Sequence, residues 1–217
     1  MKILAIGAHL DDIELACGGT LAKAVRNGHT VKMLVMSQSG YKGLDGEVKR
    51  SNEIAIQEGK HAAEKLGIKD IEILDFNTKD ITYHSETVEA IEKVIVKFSP
   101  DAIFTHWAFD THQAHEGVAK STFSAARRNN TIFMYEPISP SGRSYHPFRP
   151  QMYSEIDDFI ECKVAALCEH KTEYHKYGDN WIEGVKARAR YRGYEMGHTY
   201  AEAFEILRCE FNLVGGD

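Results

Sequence analysis

Five short apolar runs set the limits on what this chain can fold into. ILAIGA (3–8), TVKMLVM (30–36), IEILDF (71–76), AIFTH (102–106) and TIFMYE (131–136) have the length and β-rich content of strands. Segments with helical character separate them, over about 17–27, 47–66, 86–98 and 113–128; Gly28, Gly67 and Ser99-Pro100 stop the first three. Strands joined by helical crossovers pair in parallel, so the pattern predicts an α/β fold: a Rossmann-like parallel sheet with helices on both faces. After Pro137 the pattern changes. ISPSGRSYHPFRP, with Pro140, Pro147 and Pro150, reads as a surface loop. A strand near 152–156, helices over 158–176 and 181–197 and a last apolar run, AFEILRCEF (203–211), follow. Residues 1–136 thus read as the core, and 137–217 as a C-terminal elaboration, of a single domain.

Several function classes are disfavoured at once. A formal net charge of -6 argues against a nucleic-acid partner, which calls for a basic face. No apolar run reaches the roughly 18 residues that span a bilayer. The N-terminus has one lysine, a short apolar run and then acids where a signal cleavage site would be, so a cytoplasmic location is expected. Cys17, Cys162, Cys168 and Cys209 form no CxxC pair and read as free thiols. The turn after the first strand is G-A-H-L-D-D rather than GxGxxG, and no P-loop is present, which argues against a nucleotide cofactor.

In open parallel sheets, ligands bind beyond the carboxyl ends of the strands. There the first strand carries H9-L-D-D12 and the fourth carries H106-W-A-F-D-T-H-Q-A-H115. Histidine nitrogens and carboxylate oxygens are zinc donors, and a catalytic zinc keeps three protein ligands and one open position. His9 and Asp12 share one turn. His112 and His115 are three apart at the start of a helix and can face one side. Either half alone is a weak signal. Together, at one sheet edge, they point to a divalent cation, whose charge turns adjacent carboxylates from repulsive to favourable.

These residues also match a known family. A-H-L-D-D-I-E-L-A-C-G-G-T-L resembles the A-H-P-D-D-x-x-x-x-x-G-G-T-L signature of the LmbE/PIG-L zinc-dependent N-deacetylases. SQSG, KRSNE, AAEKLG, DTHQAH, KVAAL and YAEAF resemble further family segments in the right order. The resemblance implies an LmbE-like domain that removes acetyl groups from N-acetylglucosamine-type conjugates (nucleotide sugars, glycans or thiol-cofactor precursors) by attack of water activated on zinc. It implies His9, Asp12 and His115 as metal ligands and Asp11 as general base. His112, taken as protonated, would assist the oxyanion and leaving group, and Arg50 would bind substrate. A small-molecule substrate and a homo-oligomer are implied as well. Iron or cobalt accepts the same donor set. Three positions depart from the family pattern. Leu10 replaces a proline, and Ala114 replaces an acid that normally tunes the first histidine of its box, a role open to Asp110. Thr78 stands where an acid contacts substrate, shifting that acid toward Asp80.

Two other classes compete: a metal-dependent esterase or phosphatase on the same fold, and a non-catalytic sugar-binding module. Weak basic character around the motif loops disfavours a phosphatase, and retention of Asp11 and every ligand disfavours a silent module. His106 lies at the end of the fourth strand, beside the expected metal. His146 and His198 read either as solvated or as pocket-lining. Trp107 and Tyr41 are candidates to stack on a sugar. His29, His61, His170 and His175 read as surface or capping residues.

Overall fold

A computed structural model describes residues 1–210; Phe211, the end of the last predicted strand, and the remainder of the elaboration to 217 lie outside the described residues. In chain order the elements are β1 (Lys2–Gly7), α1 (Asp12–Arg26), β2 (Thr30–Val35), β3 (Tyr41–Lys42), β4 (Val48–Arg50), α2 (Asn52–Lys65) and β5 (Asp70–Ile73). There follow α3 (Ser85–Phe98), β6 (Ala102–Thr105), α4 (Gln113–Ala125), β7 (Ile132–Tyr135), β8 (Met152–Glu155), α5 (Ile160–Glu169), α6 (Lys171–Tyr177), α7 (Asp179–Met196) and β9 (Ala201–Arg208).

Seven strands form one sheet in the order β5-β2-β1-β6-β7-β9-β8. The first five are parallel, as the alternation of strands and crossovers predicts, and β9 runs antiparallel to both β7 and β8. Alternate residues supply the two faces. Ile3 and Ala5 of β1, with Val31, Met33 and Phe104, pack under α1, α2 and α5. Leu4 and Ile6, with Leu34, Ile103 and Ile132, pack under α3 and α4. Both faces are therefore buried, which is why these strands read as continuous apolar runs rather than as alternating ones.

The chain departs from β1 toward β2 on one side, while β6 pairs with β1 on the other, with Ile3 opposite Ala102 and Ala5 opposite Phe104. Here the strand order reverses, and the loops after β1 and β6 lie side by side. That ladder brings His9 next to residues about a hundred positions further along.

Three predicted boundaries move. The first helix starts at Asp12, not near Cys17, because it is two half-helices joined at Cys17 (φ -136, ψ 17). The second half is capped from across the sheet. Glu202 of β9 accepts the Gly19 and Thr20 amides at 2.9 and 2.7 Å and the Thr20 hydroxyl at 2.5 Å, and the Lys163 ammonium donates to it at 2.5 Å. The predicted helix from 47 begins at Asn52, because Val48–Arg50 pairs with Tyr41–Lys42 as a small hairpin. Ser51 caps α2, its hydroxyl accepting the Ile54 amide at 3.2 Å. The run 158–176 breaks at His170 into α5 and α6.

Gly117 is a packing requirement of α4, the helix that carries His115. A Cβ there would lie 2.5 Å from the Ile81 carbonyl oxygen and 2.9 Å from Thr82 Cα, both backbone atoms. Gly117→Ala is expected to lower stability by about 1–3 kcal/mol, read from the midpoint of urea unfolding. An unchanged midpoint would mean that the 81–82 backbone gives way freely.

Candidate active site

Asp11 occupies the N-cap position of α1, where an aspartate normally accepts an amide of the first turn. Its carboxylate makes no such bond and lines the cavity instead. Burial, with Asp12 adding to it, pushes its pKa up to about 7. Asp12, next in the chain, is held differently. Its Oδ2 accepts the His9 amide at 2.7 Å. Despite burial, the neighbouring His115, His106 and His9 keep its carboxyl well below the usual range.

His9, Asp12 and His115 converge. His9 Nδ1 lies 3.2 Å from His115 Nε2 and 3.3 Å from Asp12 Oδ2, and His115 Nε2 lies 3.2 Å from Asp12 Oδ1. Donors sharing a tetrahedral ion at bonds of roughly 2.0–2.2 Å stand roughly 3.3–3.6 Å apart. The set fits zinc in identity and spacing. His115 donates from Nδ1 to Asp110 Oδ2 at 3.0 Å, which fixes its tautomer and leaves the Nε2 lone pair for a cation. Burial opposes a charge on His115, but Asp12 and Asp110 outweigh it and lift the pKa to about 10. Asp110 therefore stands in for the acid missing at Ala114, but toward His115 rather than His112.

Two other donor groups come within 4.8 Å of one another: His9, His112 and His115, and Asp12, His106 and His115. Ring geometry argues against both. An imidazole lone pair lies in its ring plane. His112 stacks on His115 with centroids 4.4 Å apart and planes 19° apart, and His106 stacks on it at 4.1 Å and 16°. Lone pairs of nearly parallel, stacked rings run side by side and cannot meet at one ion. His9 is inclined at 57° to His115, so those two can converge.

His112 caps α4, its Nδ1 accepting the Ala114 amide at 3.2 Å. In the neutral ring the proton therefore sits on Nε2. Burial, His115 and His9 lower its pKa to about 4. Burial, with the neighbouring His115 and His9, disfavours the imidazolium expected of His112 and favours a neutral ring with one N–H to offer.

These residues line a cavity of about 1260 Å³. Its outer walls are the β3–β4 hairpin, residues 75–79 after β5, residues 136–141 and the α6–α7 corner, which presents Tyr177 and Trp181. Tyr41 lines it as expected. Trp107 does not: it is buried, and its indole N–H donates to Glu205 at 3.0 Å. Asp75 and Thr78 line the cavity, and Asp80, the expected position of the displaced acid, is not among its lining residues. Arg50 lines the cavity but is buried, its guanidinium 2.9 Å from Glu58 and 3.8 Å from Glu173. His146 packs on Phe109 and Tyr145, and His198 is half exposed beside Asp157. His170 is fully buried, against the surface reading, with Nε2 3.2 Å from Glu14 and Nδ1 3.3 Å from Arg50. Leu10 uses what a proline lacks: its amide donates to Ser39 Oγ at 2.9 Å, tying the β1 loop to the β2 loop.

The family model for GlcNAc-PI de-N-acetylase, PIG-L, matches residues 4–126. The chain belongs to the PIG-L family. The matched segment contains His9, Asp11, Asp12, His106, Asp110, His112 and His115, but stops short of Trp181 and the residues around it. Among relatives of this PIG-L member, the diacetylchitobiose deacetylase of Thermococcus kodakarensis is 28% identical over 95% of this chain and 83% of its own length. The uncharacterized deacetylase YaiS of Escherichia coli is 32% identical over 78% of this chain and 90% of its own length. Among solved structures, the conserved protein TT1542 of Thermus thermophilus superposes with a TM-score of 0.83 at 25% identity, covering 97% of this chain and 96% of that one. No helix among the described residues is long and apolar enough to cross a membrane.

Proposed function

We propose that this PIG-L member is a zinc-dependent N-deacetylase that removes the acetyl group of an N-acetylglucosamine-type sugar conjugate. One observation carries the reading: three donors face one another at ligand spacing, beside the half-buried Asp11 carboxylate, which makes no cap hydrogen bond and lines the cavity. Membership in a de-N-acetylase family and the likeness to a diacetylchitobiose deacetylase support the substrate class. His9, Asp12 and His115 would hold the ion. A bound zinc ion supplies positive charge that acidifies water and polarises an amide carbonyl, and iron or cobalt would do the same.

The chain's own residues account for the proton movements. As water adds to the amide carbon, Asp11 takes its proton, for which a pKa near neutrality is suited. His112 Nε2–H donates to the oxygen that gathers negative charge. When the C–N bond breaks, Asp11 returns the proton to the departing amine. Water and amide thus become acetic acid and amine, which ionise to acetate and ammonium, and the Asp11 carboxylate is regenerated. The cavity exceeds the roughly 300–1,000 Å³ of ordinary small-molecule sites, which suits a sugar bearing a further group against Tyr41, Tyr177 and Trp181. Arg50 would meet substrate only as part of an ion-paired wall.

Zinc-reconstituted protein is expected to release equal amounts of amine and acetate from N-acetylglucosamine or N,N'-diacetylchitobiose. A chelator should suppress this at least about a hundredfold, and added zinc should restore it. Failure to release amine from any N-acetylated amino sugar in a broad panel would overturn the reading.

A further inference from the structure

His106 belongs neither to the ligand set nor to the cavity's outer walls, yet it is buried at the centre of the site, at 3% exposure. Its Nε2 lies 3.1 Å from Asp12 Oδ2, and the Ala8 amide points at the same nitrogen from 3.0 Å. One ring nitrogen cannot donate to the carboxylate and accept from the amide at once. Nor can His106 relieve the conflict by ligating the ion with His115, because the two rings stack. With its proton on Nδ1, His106 would turn a lone pair toward the carboxylate, two acceptors facing each other. With the proton on Nε2 it makes a charge-assisted hydrogen bond, roughly twice as strong as a neutral one, which outweighs the Ala8 amide bond that this tautomer gives up. The ring itself is clamped between His115 and the edge of Tyr135, whose hydroxyl donates to the Ile6 carbonyl at 2.8 Å.

We propose that His106 is a positioning residue that holds Asp12 in its ligating rotamer through an Nε2–H···Oδ2 hydrogen bond, its ring held between His115 and Tyr135. The proposal rests on the reading of His9, Asp12 and His115 as a cation site. It assigns no role in proton transfer. Asp12 is the one ligand without a ring to restrict it, and its other restraint, the His9 amide, comes from the same turn. His106 comes from the neighbouring strand, so it ties the carboxylate to the sheet. A glutamine at 106 has a separate donor and acceptor, one for Asp12 and one for Ala8. Phenylalanine fills the space with neither, and asparagine has both but lacks the reach.

The test titrates cobalt(II) into the full-length apo-protein against a competing chelator, with the visible spectrum read at saturation. His106→Phe and His106→Asn are expected to bind cobalt about 10–100-fold more weakly than wild type. At saturation their cobalt bands should match those of wild type. His106→Gln should recover affinity to within about threefold of wild type, since only the supporting bond is restored. Thermal melting of the apo forms identifies any variant that does not fold, and the Gln/Asn comparison stands if the Phe variant fails. Unchanged affinity in the Asn variant overturns the proposal. So does a changed band pattern, which would make His106 itself a ligand, or a wild type that binds no cobalt. Because the readout is metal binding, a protein that binds cobalt normally but releases no amine would sink the deacetylase reading and leave this one standing.

Discussion

Asp11→Asn is expected to keep its divalent cation and lose about 10²–10⁴-fold in turnover. The substitution is nearly isosteric, and Asp11 contributes no donor to the converging His9, Asp12 and His115 set. An amide cannot take a proton from water, so the loss should fall on kcat rather than on cation content. The pH profile should change with it. A base must be ionised to act, so wild-type kcat/KM falls as pH drops through the pKa of Asp11, which burial and Asp12 hold above the ordinary value. That acidic limb should vanish from the residual activity of the variant. Elemental analysis and amine release together check the result. A variant that turns over like wild type would remove Asp11 as the base, and one that loses its metal would make it a ligand.

Lys163→Met is expected to cost about 3–5 kcal/mol of stability, a large share of the roughly 5–15 kcal/mol typical of a domain. Lys163 and Glu202 are both nearly inaccessible, at 2% and 4% exposure. Removing the ammonium leaves a carboxylate with only the Gly19 and Thr20 groups to stabilise it. The double variant Lys163→Met/Glu202→Gln should recover part of the loss, because the neutral amide still accepts one hydrogen bond without burying a charge. Urea unfolding of the four proteins gives the cycle. A Lys163→Met protein within about 1 kcal/mol of wild type, the level of an exposed pair, would show that solvent reaches Glu202.

What is legible in the sequence follows from range. Strands β1, β2, β6 and β7 are buried on both faces, so each announces itself as an apolar run, while the edge strand β5 is only half-buried. The strands β3 and β4 span two and three residues, too short to leave a pattern, and the hairpin reads as loop and helix. The start of α1 is hidden because its first turn ends at a break closed by Glu202, a residue 183 positions from Gly19. His170 reads as a surface residue because its partners, Glu14 and Arg50, come from other helices and strands. Within the site, residue types and the rule for sheet edges are enough to bring His9 and His115 to one place. The protonation of His112 is not readable, since it depends on three imidazoles crowding together. The exclusion of His106 and His112 from the ligand set rests on ring angles, which spacing along the chain does not encode.

The position of β9 bears on how the molecule is made. β9 lies between β7 and β8, so the outer edge of β7 has no partner until residues 201–208 have been synthesised. A growing chain at about 150 residues can already hold the five parallel strands, but with a bare, apolar edge of the kind that pairs with neighbouring chains. Its first helix is also unfinished, because the carboxylate that caps its second half has not yet left the ribosome. The helix that begins at Asp12 is thus translated well before the carboxylate that fixes its second half.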